Sequence, residues 1–216
     1  MNHPGGTDQS DAVTRGVECR TFPEGEARTV QIGRTYDAPL EDVWEACTEP
    51  ERIRRWFLPV SGELREGGRY QLEGNAGGLI ERCEPPHHFA ASWEYGGNVS
   101  WIELHLSGAD GGGTRFELWH TMPVGDHWRQ FGPGAVGIGW DLGLLGLARN
   151  LATGESADPK AAAAFPASEA GRRFIEESSR GWCEADIASG EEREHASAAA
   201  ARTFAFYTGA GPNSAS

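Results

Sequence analysis

Residues 99–121 read VSWIELHLSGADGGGTRFELWHT and contain two runs in which apolar and polar side chains alternate. A period of two is typical of a half-buried strand, and Asp110–Gly113 between the runs supplies a turn. The stretch therefore predicts two antiparallel strands that each turn one face toward a core. We take the more apolar faces as inward, and their members are Ile102, Leu104, Leu106, Phe116, Leu118 and His120.

Further elements extend outward from this pair. Short alternating runs bounded by Gly, Pro and Asp predict the other strands. These are Arg28–Tyr36, Val60–Arg65, Arg69–Glu73, Gly78–Cys83 and His88–Tyr95. Apolar spacings of three and four predict a helix over Leu40–Cys47, a short one from Pro50, and a long one in His127–Leu151. The Gly-rich segment Gly132–Gly139 should interrupt the long helix, and Gly154 should end it.

The ends of the chain differ from this centre in composition. Residues 1–27 are polar and punctuated by Gly and Pro, so we expect a disordered leader there. Residues 28–153 form the predicted domain, and 154–208 form an Ala/Glu-rich helical extension with helices over Ser168–Ala188 and Glu191–Tyr207. Residues 209–216 are a predicted tail.

Charge and composition exclude several classes of function. The net charge is −13 and no basic cluster is present, which argues against a nucleic-acid partner. No apolar run is long enough to cross a bilayer, and the amino terminus does not resemble a signal peptide. We therefore expect a cytoplasmic protein. The four cysteines form no CxxC pair, so we expect small buried apolar groups rather than disulfides or metal ligands.

Five motifs carry a resemblance to a known family: Tyr36–Trp44 (YDAPLEDVW), Pro50–Phe57, Phe89–Glu94, Gly113–His120 and Gly139–Asp141. Together they resemble the START-like (SRPBCC) superfamily, in the branch related to activators of the heat-shock-protein-90 ATPase. The resemblance implies an α+β helix-grip fold, a curved antiparallel sheet around a long helix. It implies no single function, because the superfamily includes lipid carriers, cyclases, hormone receptors and co-chaperone domains.

A curved sheet and one helix do not fill the volume between them, so we expect a cavity there that holds a small apolar or amphipathic molecule. No cofactor is predicted. The alternative is that the lining side chains simply pack together. The predicted ligand-binding residues are Phe89, Trp93, Ile102, Leu104, Leu106, Phe116, Leu118, His120, Trp140 and Leu144.

Two other functions stay open. An enzyme of the cyclase, hydrolase or dehydratase type could use His120 as an acid or base, with Asp141 or a cavity glutamate as its partner. Non-enzymatic binding is the favoured interpretation. A co-chaperone-like interaction module would use the outer surface instead. Solvent access to His120 in a deep pocket would favour the enzyme, and a broad exposed apolar patch without a cavity would favour the interaction module.

The outward faces raise two further points. Five histidines suggest a metal site, but His87 and His88 are adjacent, His105 is predicted outward, and no carboxylate stands at ligand spacing, so no metal site is predicted.

Trp101 and Trp119 are predicted on the outer face, opposite each other on neighbouring strands. An apolar patch of this kind suggests coverage by the C-terminal helices or by a second copy in a homodimer.

Overall fold

The computed structural model describes residues 13–22 and 25–209. Within these residues eight strands and seven α-helices follow one another along the chain. The strands are β1 (Thr14–Phe22), β2 (Gly25–Tyr36), β3 (Val60–Gly62), β4 (Arg69–Leu72), β5 (Gly77–Glu84), β6 (His88–Tyr95), β7 (Asn98–Gly108) and β8 (Thr114–Pro123). The helices are α1 (Leu40–Thr48), α2 (Pro50–Ile53), α3 (Asp126–Phe131), α4 (Gly134–Thr153), α5 (Pro159–Ala164), α6 (Glu169–Ala188) and α7 (Arg193–Thr208).

The strands form one sheet in the order β1-β2-β8-β7-β6-β5-β4-β3. With the helices, this is the predicted α+β helix-grip fold. The described chain forms two compact units. The sheet unit comprises Gly33–Met122 and Gly143–Ala157, and the helical unit comprises the chain through Ile32, Pro123–Leu142 and the chain from Asp158 onward. This division differs from the predicted boundary at residue 153, because the first half of α4 groups with the C-terminal helices.

The amino-terminal segment corrects the predicted leader. Residues 14–22 form strand β1, and β2 begins at Gly25 rather than Arg28. The strand was missed because its side chains are mostly exposed or half-buried, so the sequence shows no regular apolar period. Residues 1–12 of the predicted leader, and all of the predicted tail except Gly209, lie outside the described residues.

The register of the central strands confirms the predicted inward face. Leu104 pairs with both Phe89 and Leu118, and Ile102 pairs with His120. Directly opposite residues in an antiparallel pair project from the same side of the sheet. Leu104 is 1 % exposed and Leu118 is 4 % exposed, so this side forms the core of the sheet unit.

Glycines interrupt and end the long helix as predicted. Helix α3 stops at Gly132, whose φ of +59° is left-handed, and α4 starts at Gly134. At the other end Gly154, with φ of +70°, follows the last residue of α4. Such angles cost glycine little because it has no Cβ.

The C-terminal extension is helical, as expected. Helix α6 begins after Ser168, whose hydroxyl accepts a hydrogen bond from the Gly171 amide at 3.0 Å. This is an N-cap interaction of the ordinary kind. The helix packs against α7 and buries Phe174 and Trp182 almost completely. None of the described helices combines the length and hydrophobicity that a membrane span requires.

Candidate functional site

The inward face of the sheet unit changes in character from its centre to its side. Most of its apolar side chains are buried on β7 and β8, whereas on β5 and β6 all except Ala91 are only half-buried. Cys83 pairs with Phe89, and Ile80 pairs with Ala91, so β5 continues the same face. The half-buried apolar members of this part, called here the open strip, are Ile80, Cys83, Phe89 and Trp93.

Aromatic contacts shape the open strip. The ring of Phe89 meets Trp44 of α1 edge-on, with 6.3 Å between ring centroids. Trp93 lies beside His120, with 5.8 Å between ring centroids. In the second half of α4, Leu144 is 1 % exposed and its carbonyl accepts a hydrogen bond from the Tyr36 hydroxyl at 3.4 Å. Trp140, also a predicted ligand-binding residue, is 8 % exposed and falls in the helical unit.

His120 is buried beside the open strip, 3 % exposed. Its Nε2 lies 2.9 Å from the hydroxyl of Ser100, and that hydroxyl donates to the carbonyl of Trp93 at 3.1 Å. A serine hydroxyl has one proton, so the ring nitrogen must be the donor to it. Burial lowers the pKa of His120 to about 4, which leaves the imidazole neutral near pH 7. A neutral ring with this pKa orients a hydrogen bond better than it transfers protons.

The low pKa of His120 predicts a pH dependence of stability. The folded protein protonates this ring only near pH 4, whereas a histidine of the unfolded chain does so near 6.5, so the unfolded state binds more protons between these values. The free energy of unfolding should therefore fall by about 3 kcal/mol as pH drops through this window. Chemical denaturation at several pH values measures it. His120→Gln should remove this component and the exposed His127→Gln should retain it, whereas equal pH profiles for both variants would contradict the assignment.

Asp141, the proposed partner of His120, has other partners in the helical unit. Its carboxylate forms an ion pair with Arg15 of β1 at 2.8 Å and accepts hydrogen bonds from Ser178 and from the Trp182 indole of α6. Its side chain is fully buried. Arg15 lies in the predicted leader, so the sequence gives no reason to pair it with Asp141. The prediction that Asp141 assists His120 gains no support from these contacts, which use both carboxylate oxygens.

The outward face of β6 and β7 contains a group that the sequence interpretation dismissed. His88 and His105 are direct cross-strand partners, and Glu103 lies two positions before His105 on the same side. The Glu103 Oε2 atom is 3.7 Å from His88 Nε2 and 3.6 Å from His105 Nε2. Contrary to the sequence-based prediction, these histidines therefore do have a carboxylate partner. The signal was available, because the tight Gly96-Gly97 turn sets the register that brings His88 opposite His105.

Trp101 and Trp119 lie on this same outward side, and both are half-buried. Trp119 pairs with Glu103 and Trp101 pairs with Thr121, so the two indoles are offset diagonally rather than directly opposite. Their coverage by other helices or by a second copy stays a prediction.

A polar pocket of about 280 Å³ opens on the outward side of β3 to β6. Arg69 and Glu94 form an ion pair of 2.7 Å at its wall, and the hydrogen bond from Arg69 lowers the pKa of Glu94. Gly77 lies between Gln71 and Glu94, and a Cβ atom at this position would come within 2.5 Å of the Gln71 side chain. Because glycine has no Cβ atom, this part of the pocket stays open. Glu94 and Glu103 therefore both lie on the outward face of the sheet.

Comparisons with known proteins agree with this architecture. The sequence model of the family described as "Activator of Hsp90 ATPase homolog 1-like protein" matches residues 37–151. The crystal structure of CalU16 from Micromonospora echinospora is 38% identical over 81% of this chain and 98% of that one, with a TM-score of 0.64. The solution structure of CalU16 is 36% identical over 88% and 100% of the two chains, with a TM-score of 0.69.

A third structure, MLL2253 from Mesorhizobium loti, is 21% identical over 58% of this chain and 97% of that one, with a TM-score of 0.53, and it supports the fold alone. None of the curated proteins matches the chain. The family match covers more than half of the sequence and includes the strand-to-helix turn, the central strands and most of α4. The chain is therefore a member of the Activator of Hsp90 ATPase homolog 1-like protein family, within the START-like fold.

Proposed function

We propose that the protein binds a small apolar or amphipathic molecule against the inward face of its sheet. The observation that carries this proposal is the open strip itself. An apolar face that is buried on β7 and β8 continues onto β5 and β6, where Ile80, Cys83, Phe89 and Trp93 are only half-buried. Completing the burial of two aromatic side chains would stabilise a bound apolar molecule by several kcal/mol before the costs of association.

The polar groups next to the strip suit recognition of one polar end of such a ligand. Ser100 is half-buried and joins the Trp93 carbonyl to the neutral ring of His120. A few fixed polar groups in a largely apolar wall are usual where a ligand must be oriented. In this proposal Phe89 and Trp93 supply contact area, and Ser100 with His120 aligns the polar atom of the ligand.

The same geometry favours binding over acid–base chemistry. Because burial lowers the pKa of His120 to about 4, the ring is a weak base near pH 7. Asp141, the carboxylate that would raise its basicity, is neutralised by Arg15. The proposal therefore gives His120 an orienting role and no proton-transfer step.

The test compares two tryptophans on adjacent strands. An apolar fluorescent probe such as ANS is titrated into wild type, Trp93→Ala and Trp101→Ala; both side chains are half-buried, but Trp101 is on the outward side. Trp93→Ala should weaken binding by about tenfold or more, because a buried aromatic contact contributes over 1 kcal/mol. Trp101→Ala should leave the affinity unchanged. Native mass spectrometry of protein from its own host then looks for a bound natural ligand.

Two results would overturn the proposal. Equal affinity of the probe for wild type and Trp93→Ala would place binding elsewhere. A larger loss in Trp101→Ala than in Trp93→Ala would assign the apolar site to the outward face and favour an interaction module.

A further inference from the structure

Three donor atoms of metal-ligating type converge on the outward side of β6 and β7. They are Nε2 of His88, Nε2 of His105 and a carboxylate oxygen of Glu103, and all three lie within 4.8 Å of one another. The two distances to the carboxylate, 3.7 and 3.6 Å, are close to the separation of about 3.4 Å between ligands of a tetrahedral zinc ion. Small side-chain rotations would bring the set to coordination distance.

The hydrogen-bonding state of His105 supports a role beyond a surface ion pair. Its Nε2 atom is buried, and among the described residues it has no hydrogen-bond partner. The Glu103 oxygen faces it at 3.6 Å, just beyond hydrogen-bonding distance. A ring nitrogen that makes no hydrogen bond is available to ligate a metal ion.

The scaffold around the three residues holds them in place. His88 and His105 are direct partners in the β6–β7 ladder, with 4.6 Å between their ring centroids. The Trp119 ring also packs against the His105 ring, again with 4.6 Å between ring centroids. The small side chain of Ala90 stands opposite Glu103, which leaves room beside the carboxylate. Ligands on regular strands are positioned more accurately than ligands on loops.

We propose that His88, Glu103 and His105 bind one divalent transition-metal ion of the zinc class. Two imidazoles and one carboxylate suit Zn²⁺ or Co²⁺ better than Mg²⁺ or Ca²⁺, which prefer oxygen ligands. The His88 side chain is 12% exposed, and the other two are 35% and 36% exposed, so one side of the ion faces solvent. Its remaining coordination positions are open to water or to a donor atom of another molecule.

The experiment titrates Zn²⁺ into protein without a polyhistidine tag by isothermal titration calorimetry. All proteins carry Cys19→Ser, because that exposed thiol could bind metal by itself. Each of three substitutions, His88→Ala, His105→Ala and Glu103→Gln, should weaken Zn²⁺ binding by about tenfold or more. Loss of a ligand should cost at least as much affinity as loss of a group that only supports a ligand. Co²⁺ gives a second readout, since visible ligand-field bands should appear with wild type and be lost in His105→Ala.

His87→Ala is the matched control. His87 is adjacent to His88 in the sequence but is not part of the cluster. The His87 Nδ1 atom instead forms a hydrogen bond of 3.1 Å with the Leu106 carbonyl. The His87→Ala variant should bind Zn²⁺ with the affinity of the wild type. Glu103→Gln keeps the shape of the side chain and decides the question if a histidine variant fails to fold. Wild-type affinity in all three cluster variants, or an equal loss in His87→Ala, would overturn the proposal. The ANS test concerns the inward face, so either proposal can fail alone.

Discussion

Asp141→Asn is expected to lower the free energy of unfolding by about 3–5 kcal/mol, the usual cost of removing one partner from a buried ion pair. Arg15 is 10% exposed at its side chain and would keep its charge but lose the Asp141 carboxylate of its ion pair. An asparagine has one acceptor oxygen and one NH2 group, so either Arg15 or the Ser178 and Trp182 donors would face an amide NH2 instead of an acceptor. Chemical denaturation followed by circular dichroism measures the change.

Two further variants show whether burial is the cause. Glu169→Gln removes an exposed ion pair with Arg173 in the same region, and it should cost less than about 1 kcal/mol. The double variant Arg15→Met with Asp141→Leu should recover much of the loss, because buried ion pairs can often be replaced by apolar groups. If Asp141→Asn cost no more than Glu169→Gln, the cluster would not stabilise the helical unit as described.

Gly137→Ala is expected to destabilise the protein by about 1–3 kcal/mol, the cost of overpacking a filled core. A Cβ atom at this position of α4 would overlap the Trp182 indole, which is 1 % exposed and bonded to Asp141. The ring therefore has little freedom to move away. Thermal or urea unfolding gives the measurement.

Gly143→Ala is the matched control in the same helix. There a Cβ atom would come no closer than 3.7 Å to Trp56, which is ordinary contact. Since alanine favours helix over glycine, this change should be neutral or stabilise by up to about 1 kcal/mol. In a Trp182→Ala background the penalty of Gly137→Ala should largely vanish, because the two residues are coupled. A penalty that persists there would show that its cause is not the indole.

The sequence predicts the inward side of the sheet correctly because that side depends on short-range patterns in the chain. Strand period and turn chemistry set the register of β6, β7 and β8, and this register decides which residues face inward. For the same reason the outward His88, Glu103 and His105 could have been grouped from the sequence, by following the Gly96-Gly97 turn to its cross-strand partners. Considering each histidine separately misses this group, because its members are neighbours only across the two strands.

Short-range patterns in the sequence predict the strands and helices of the helix-grip fold, the inward apolar face and the breaks at Gly132 and Gly154. These features arise from contacts between near neighbours in the chain. The folded structure was needed to show that Arg15 lies in a strand and pairs with Asp141, and that Gly137 makes room for Trp182. Those partners are far apart in sequence, and no periodicity records a single buried charge or one close approach of two helices.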